Sequence, residues 1–169
     1  MIKNCMKRTV FSIPSTATIR QAAALIVERR IGLLPVLDAQ GKPVGVIRLG
    51  DLLSLELPSF FNLLPDLDFV HDFGAVETSH PSAEEIDRSV TALTQPWIFV
   101  EETCGMLRAY ALMMKHNLHD LPVVSEDGAL VGIASRVDIG VEILSAWASI
   151  PLSRDAIPPS RDAIPPSKL

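Results

Sequence analysis

Apolar positions in the first third of the chain change period in a fixed order. Thr9–Ile13 is a short β-branched and aromatic run closed by Pro14, which predicts a strand. Ile19, Ala22, Ala23 and Ile26 then fall at i, i+3, i+4 and i+7, one face of an amphipathic helix. Thr18 and Gln21 have the spacing of a capping box at its start. Arg29 and Arg30 suit the negative end of its dipole, and Gly32 can end it. Leu34–Leu37 reads as a buried strand, Asp38–Gly41 as a turn, Pro43–Ile47 as the returning strand and Leu49–Leu57 as a second helix stopped by Pro58.

The same order recurs. Leu34-Pro35-Val36-Leu37, Gly41, Gly45-Val46-Ile47 and Asp51 are matched by Leu121-Pro122-Val123-Val124, Gly128, Gly132-Ile133-Ala134 and Asp138, each pair 87 positions apart. The match runs without a gap from about Ile13 to Leu53. In the second copy Trp97–Val100 is the opening strand, and Met106, Ala109, Tyr110 and Met113 carry the helical spacing. Leu121–Val124 and Leu130–Ala134 flank the hairpin signal Glu126-Asp127-Gly128, and Arg136–Trp147 is the last helix. The predicted class is therefore α/β (α+β): two β-α-β-β-α repeats. Each is too small to bury a core comfortably alone, so the two are expected to pack sheet to sheet.

The expected boundaries are 1–57 for the first repeat, 58–87 for an insertion, 88–150 for the second repeat and 151–169 for a tail. The insertion holds Phe60, Phe61, Phe69 and Phe73 among acidic residues. It reads either as structure packed along the module edge or as a partner-docking or dimer-contact segment. In the tail Arg154–Ser160 recurs directly as Arg161–Ser167, a Pro-rich repetition that predicts an extended, poorly ordered end without chemistry.

Composition narrows the function classes. At 48% hydrophobic residues the chain can form a packed, mainly aliphatic core, and a net charge of −5 disfavours nonspecific binding to nucleic acid or anionic lipid. No apolar run approaches a membrane span, and Lys7 and Arg8 interrupt any leader-like start, so the expectation is a cytoplasmic protein without membrane contact. Cys5 and Cys104 have neither CxxC nor metal-ligand spacing and read as reduced thiols. Asp66-x-Asp68 lacks the ligands and glycine of a calcium loop, and His116 and His119 have no completing ligand, so no metal is expected. With no GxSxG, P-loop or GxGxxG, the chain does not read as an enzyme.

The ordered series Leu-Pro-Val-Val, acidic turn with Gly, Gly-Ile-Ala-Ser and Asp at a helix start resembles the CBS domain, and two copies in register resemble a CBS pair, or Bateman module. The resemblance covers nearly everything except the insertion and the tail. It implies pseudo-two-fold packing of the copies and clefts that take an adenosine-containing ligand: AMP, ADP, ATP, S-adenosylmethionine or NAD. It implies a homodimer and a regulatory role on a separate, unknown protein, with no cofactor required. The competing expectation is a ligand-free dimerisation or interaction module that uses the Phe-rich insertion.

The resemblance also implies site residues. Its ribose-reading pattern, a Ser or Thr three residues before Asp, is met by Ser135-Arg136-Val137-Asp138. A carboxylate accepts from paired hydroxyls, although Asp138 can equally be a plain helix cap. Arg136 and His119 are expected to add positive charge for a phosphate. In the first copy Arg48 stands in the hydroxyl position before Asp51, where it either pairs with Asp51 and fills the pocket or reaches a phosphate. The second-copy site is therefore the one expected to be occupied. Ile13 and Val100, in the opening strands, are expected either to wall the adenine site or to be plain core.

Overall fold

A computed structural model describes residues 1–57 and 80–148. The insertion's four Phe residues, its Asp66-x-Asp68 pair and the repeated tail lie outside the described residues. The first copy comprises β1 (Ile13–Pro14), α1 (Ile19–Arg29), β2 (Leu33–Leu37), β3 (Pro43–Arg48) and α2 (Leu49–Leu53). A short helix, α3 (Ala83–Ile86), precedes the second copy, which comprises β4 (Val100–Glu101), α4 (Met106–Lys115), β5 (Asp120–Val124), β6 (Leu130–Ser135) and α5 (Arg136–Ala148). The class is mixed α and β, as expected. Each copy forms a three-stranded sheet, β1-β2-β3 and β4-β5-β6, with a parallel first pair across the helix and an antiparallel second pair.

Local chemistry repeats with the sequence. The Thr18–Gln21 capping box forms, with the Thr18 amide donating to Gln21 Oε1 at 2.9 Å and the Gln21 amide to Thr18 Oγ1 at 3.3 Å. The hairpins turn at Gly41 and Gly128, with φ of 77° and 81°, the left-handed region that glycine enters without a Cβ clash. Each antiparallel ladder shifts register at matching pairs, Val36/Leu37 and Val123/Val124. Three boundaries differ from the sequence reading. Helix α1 ends on Arg30, itself left-handed at φ 52°, rather than at Gly32; its counterpart Asn117 has φ 50°. Helix α2 stops at Leu53, where Ser54 returns its hydroxyl to the Asp51 carbonyl at 2.7 Å. The opening strands are only two residues long, and the chain further upstream of each is used on the other copy.

That use binds the copies together. The Lys7 amide donates to the Ile133 carbonyl at 2.8 Å and the Lys7 carbonyl accepts from the Ile133 amide at 2.9 Å, so this N-terminal segment edges the second copy's sheet. Gln95 makes the reciprocal pair with Val46 of the first copy, at 2.8 and 3.0 Å. Ile2 and Met6 belong to the second copy's core, and Val90 to the first copy's. Thus the segment preceding each copy packs on the other. The glycines Gly45 and Gly132 make room for it: a Cβ on Gly45 would lie 2.7 Å from the Gln95 carbonyl oxygen, and one on Gly132 would lie 2.6 Å from Met6 Sδ. Among the described residues no helix is long and apolar enough to cross a membrane.

Candidate functional site

Each copy ends its last strand at a helix start, and that start is tied to the loop before the central strand. The Leu49 amide donates to the Gly32 carbonyl at 2.9 Å, and the Arg136 amide to the His119 carbonyl at 3.0 Å. These bonds bring the third residue of each helix, Asp51 or Asp138, toward the junction between the copies. The exchanged segments form the remaining walls.

At Asp51 the carboxylate oxygen Oδ2 receives the Arg48 amide at 2.7 Å and Arg48 Nε at 3.3 Å. Among the described residues, Oδ1 of Asp51 has no hydrogen bond or ion pair. A cavity of about 580 Å³ opens beside it, lined by Gly32, Arg48 and Asp51 from the first copy and Asn117, His119 and Asp120 from the second. A second hollow of about 280 Å³ shares Leu33, Arg48, Leu118 and Asp120 with it and extends along Gln95, Pro96 and Ile98. The shared residues make the two hollows neighbours in one cleft between the copies.

At Asp138 the carboxylate is more fully engaged. Its Oδ2 receives the Ser135 amide at 2.9 Å and the Ser135 hydroxyl at 2.7 Å, while the Asp138 amide donates back to Ser135 Oγ at 3.1 Å. Its Oδ1 faces Lys7 Nζ at 3.3 Å. Burial pushes this carboxyl up, but the hydrogen bonds from Ser135 and the Lys7 ammonium outweigh it, and Asp138 titrates below the usual carboxylate range. The hollow on this side of the junction is smaller, about 250 Å³, lined by Lys7, Thr9, Phe11, Arg30, Asp120 and Ile133 among others, and Asp138 is not part of its lining.

The structure thus brings Arg48, Asp51 and His119 together across the junction and separates the remaining expected residues from them. Ser135 and Asp138 form a capping box with each other. Arg136 points its guanidinium into the end of α4, donating from Nε to the Leu118 carbonyl at 2.6 Å and from Nη2 to the Met113 carbonyl at 3.2 Å and Asn117 Oδ1 at 3.4 Å. That guanidinium is thus engaged by one carbonyl of α4 and one of the loop that follows it. Ile13 and Val100 lie 4% and 3% exposed in the two cores, the plain-core alternative for both side chains. Val100 also borders a separate hollow of about 420 Å³ with Cys104 and Arg108, which shares no lining residue with the cleft. Sequence reasoning missed Asp120, which lines all three inter-copy hollows. The available signal was a broken repeat: Asp120 stands where the first copy has the apolar Leu33.

Comparison with known proteins agrees with this architecture. The family model described as CBS domain matches residues 2–57 and 88–144. The CBS domain-containing protein CBSX1, chloroplastic, of Arabidopsis thaliana is 30% identical over 141 residues, covering 79% of this chain and 58% of that protein. An uncharacterised protein, MJ1426, of Methanocaldococcus jannaschii is 28% identical over 150 residues, covering 82% of this chain and 88% of the relative. The chain spans somewhat more than half the length of CBSX1 and of its counterpart CBSX2, 58% and 55%. Among solved structures, CBSX2 in complex with AMP superposes with a TM-score of 0.64 at 26% identity, covering 86% of this chain and 97% of that one. The CBS domain pair of MJ0100, solved with 5-methylthioadenosine and S-adenosyl-L-methionine, has a TM-score of 0.64 at 19% identity, a likeness of fold, over 86% of this chain and 97% of that one.

Proposed function

The chain belongs to the CBS domain family, and from that premise we propose that it is a regulatory module that binds an adenosine-containing ligand between its repeats and relays occupancy to a partner protein. The observation that carries this reading is Asp51, a carboxylate bonded through one oxygen only, in the lining of a cavity of about 580 Å³ built from both copies. Asp51 is the ribose acceptor, with Oδ2 held by Arg48 so that Oδ1 is presented to the cleft. Gln95–Ile98 offers backbone groups and apolar surface for the base. A ligand that touches both copies changes how firmly they hold one another, and that is the property a partner would sense.

The relative CBSX2, 26% identical, was solved with AMP, which supports an adenine nucleotide as the first compound to try. The first cleft is proposed as the primary site because Asp138 already has Ser135 and Lys7 as partners. A homodimer fits the outer helices, which leave Leu107 and Met114 on α4, and Val137, Val141, Leu144 and Trp147 on α5, exposed to water. The same apolar faces favour the second reading, an assembly module without a ligand.

Thermal unfolding separates the two. A ligand at about 100 times its dissociation constant adds roughly 2.7 kcal/mol of stability. AMP, ADP, ATP, S-adenosylmethionine and NAD at millimolar concentration should include at least one that raises the melting temperature. If none does, while light scattering reports a dimer, the assembly reading replaces the sensor.

A further inference from the structure

We propose that Asp120 sets the charge of the ligand the cleft accepts, favouring an adenosine monophosphate over a nucleoside triphosphate. The inference deepens the sensor reading and rests on it. Asp120 opens β5, and its backbone pairs with Ser135 across the ladder, so its position is fixed by the sheet. Its side chain leans toward the first copy: a Cβ on Gly32 would lie 3.5 Å from Asp120 Oδ2. It borders both parts of the cleft at Asp51 and the hollow beside Lys7. Among the described residues, its carboxylate has no hydrogen bond and no ion pair.

The charges facing it come from several elements. Lys7, on the exchanged N-terminal segment, and His119 favour its ionised form, but Lys7 is already bonded to Asp138 at 3.3 Å. Burial, the largest effect, and the Asp138 carboxylate oppose ionisation, so the Asp120 carboxyl titrates above the usual range. A half-buried carboxylate without a partner pays for its ionisation, and any further negative charge placed beside it raises that cost. The cleft has little with which to compensate. Its lining includes Arg48, two carboxylates (Asp51 and Asp120) and two histidines, and Arg48 Nε is bonded to Asp51 at 3.3 Å. The histidines aside, these lining side chains carry one cation against two carboxylates. One phosphate can turn toward His119 or solvent, whereas three bring several negative charges into the space that Asp120 borders. Repulsion of this kind is a direct means of selecting between ligands that share a base and a sugar.

Isothermal titration of the full chain with AMP, ADP and ATP, in buffer free of divalent metal, tests the proposal. Affinity should fall with each added phosphate, with AMP bound about tenfold or more tighter than ATP. Asp120→Asn should narrow that ratio to about threefold or less by tightening ATP rather than weakening AMP. Asp120→Leu, which restores the first copy's residue at this position, should do the same, and melting of each unliganded variant confirms that it is folded. Equal affinities for AMP and ATP in the parent protein, or a ratio unchanged in both variants, would overturn the role of Asp120. So would a parallel titration with magnesium present in which magnesium–ATP binds tighter than AMP and loses that advantage in Asp120→Asn, because Asp120 would then be a cation ligand. If no adenosine compound binds at all, the sensor reading itself falls and takes this inference with it.

Discussion

Asp51 and Asp138 occupy the same position in the same fold, and their side chains are equally exposed, at 18%. They differ in what holds them. Asp138 receives an amide, a hydroxyl and an ammonium, and both of its oxygens are engaged. Asp51 receives an amide and a guanidinium nitrogen on one oxygen, and the other is left to the cleft. Correspondence to a binding pattern and readiness to bind are therefore separate properties. A Ser at the start of the helix completes the pattern and also completes a capping box, which ties the carboxylate to its own backbone. The copy that departs from the pattern is the one with the larger space beside it.

The sharpest test of this contrast is affinity. Asp51→Ala should weaken AMP by roughly 1.5–3 kcal/mol, about ten- to a hundredfold, as expected for lost hydrogen bonds to a charged group. Asp138→Ala should leave AMP affinity within about threefold, since that carboxylate serves its own helix and reaches the first cleft only indirectly. Titration calorimetry giving the opposite order would return the site to the second copy.

The two glycines offer the next contrast. Gly45→Ala sets a Cβ against the Gln95 backbone and should cost about 1–3 kcal/mol of stability. Gly132→Ala meets chiefly the flexible Met6 side chain and should cost less, under about 1 kcal/mol. Urea unfolding of both variants measures the difference, and equal costs would mean that the two exchanged segments are held with equal rigidity.

Ser135→Ala should cost about 1 kcal/mol through the lost cap. Because Asp138 titrates below the usual range when folded, its stabilisation is complete above the unfolded carboxyl value, about 3.9, and is lost as pH falls through the lower folded value. The gap between the parent and Ser135→Ala should therefore be constant from neutrality to about pH 5 and close under stronger acid. A gap independent of pH throughout would show that the hydroxyl serves the amide alone. The smallest effect is expected for Lys7→Ala. That side chain is 67% exposed, so its ion pair should contribute no more than about 0.5 kcal/mol.

Much of this was legible in the residues. The 87-position repeat carried the order of elements and the class, and Thr18 with Gln21 and the glycines of the two hairpins carried their local geometry. Arg48 beside Asp51 was legible as a pair, because three residues across a helix start place them within reach. Three things were not. The exchange of opening segments depends on edge pairing between residues as distant as Lys7 and Ile133, and edge pairing has no local pattern. The guanidinium of Arg136 could be assigned to a phosphate until the end of α4 was seen to need it. Asp120 sits one residue ahead of the matched Leu-Pro run, at a position where the first copy has the apolar Leu33, so the repeat pattern does not mark it.

The reciprocal edge strands carry a consequence for how the protein is made. The first copy's sheet waits for Gln95 to be synthesised, and the Ile2–Lys7 stretch, made more than a hundred residues earlier than Ile133, waits for it before it has a place to settle. Neither half can be cut out and kept whole. The chain closes like a clasp whose two hooks engage only when the full length between them is present.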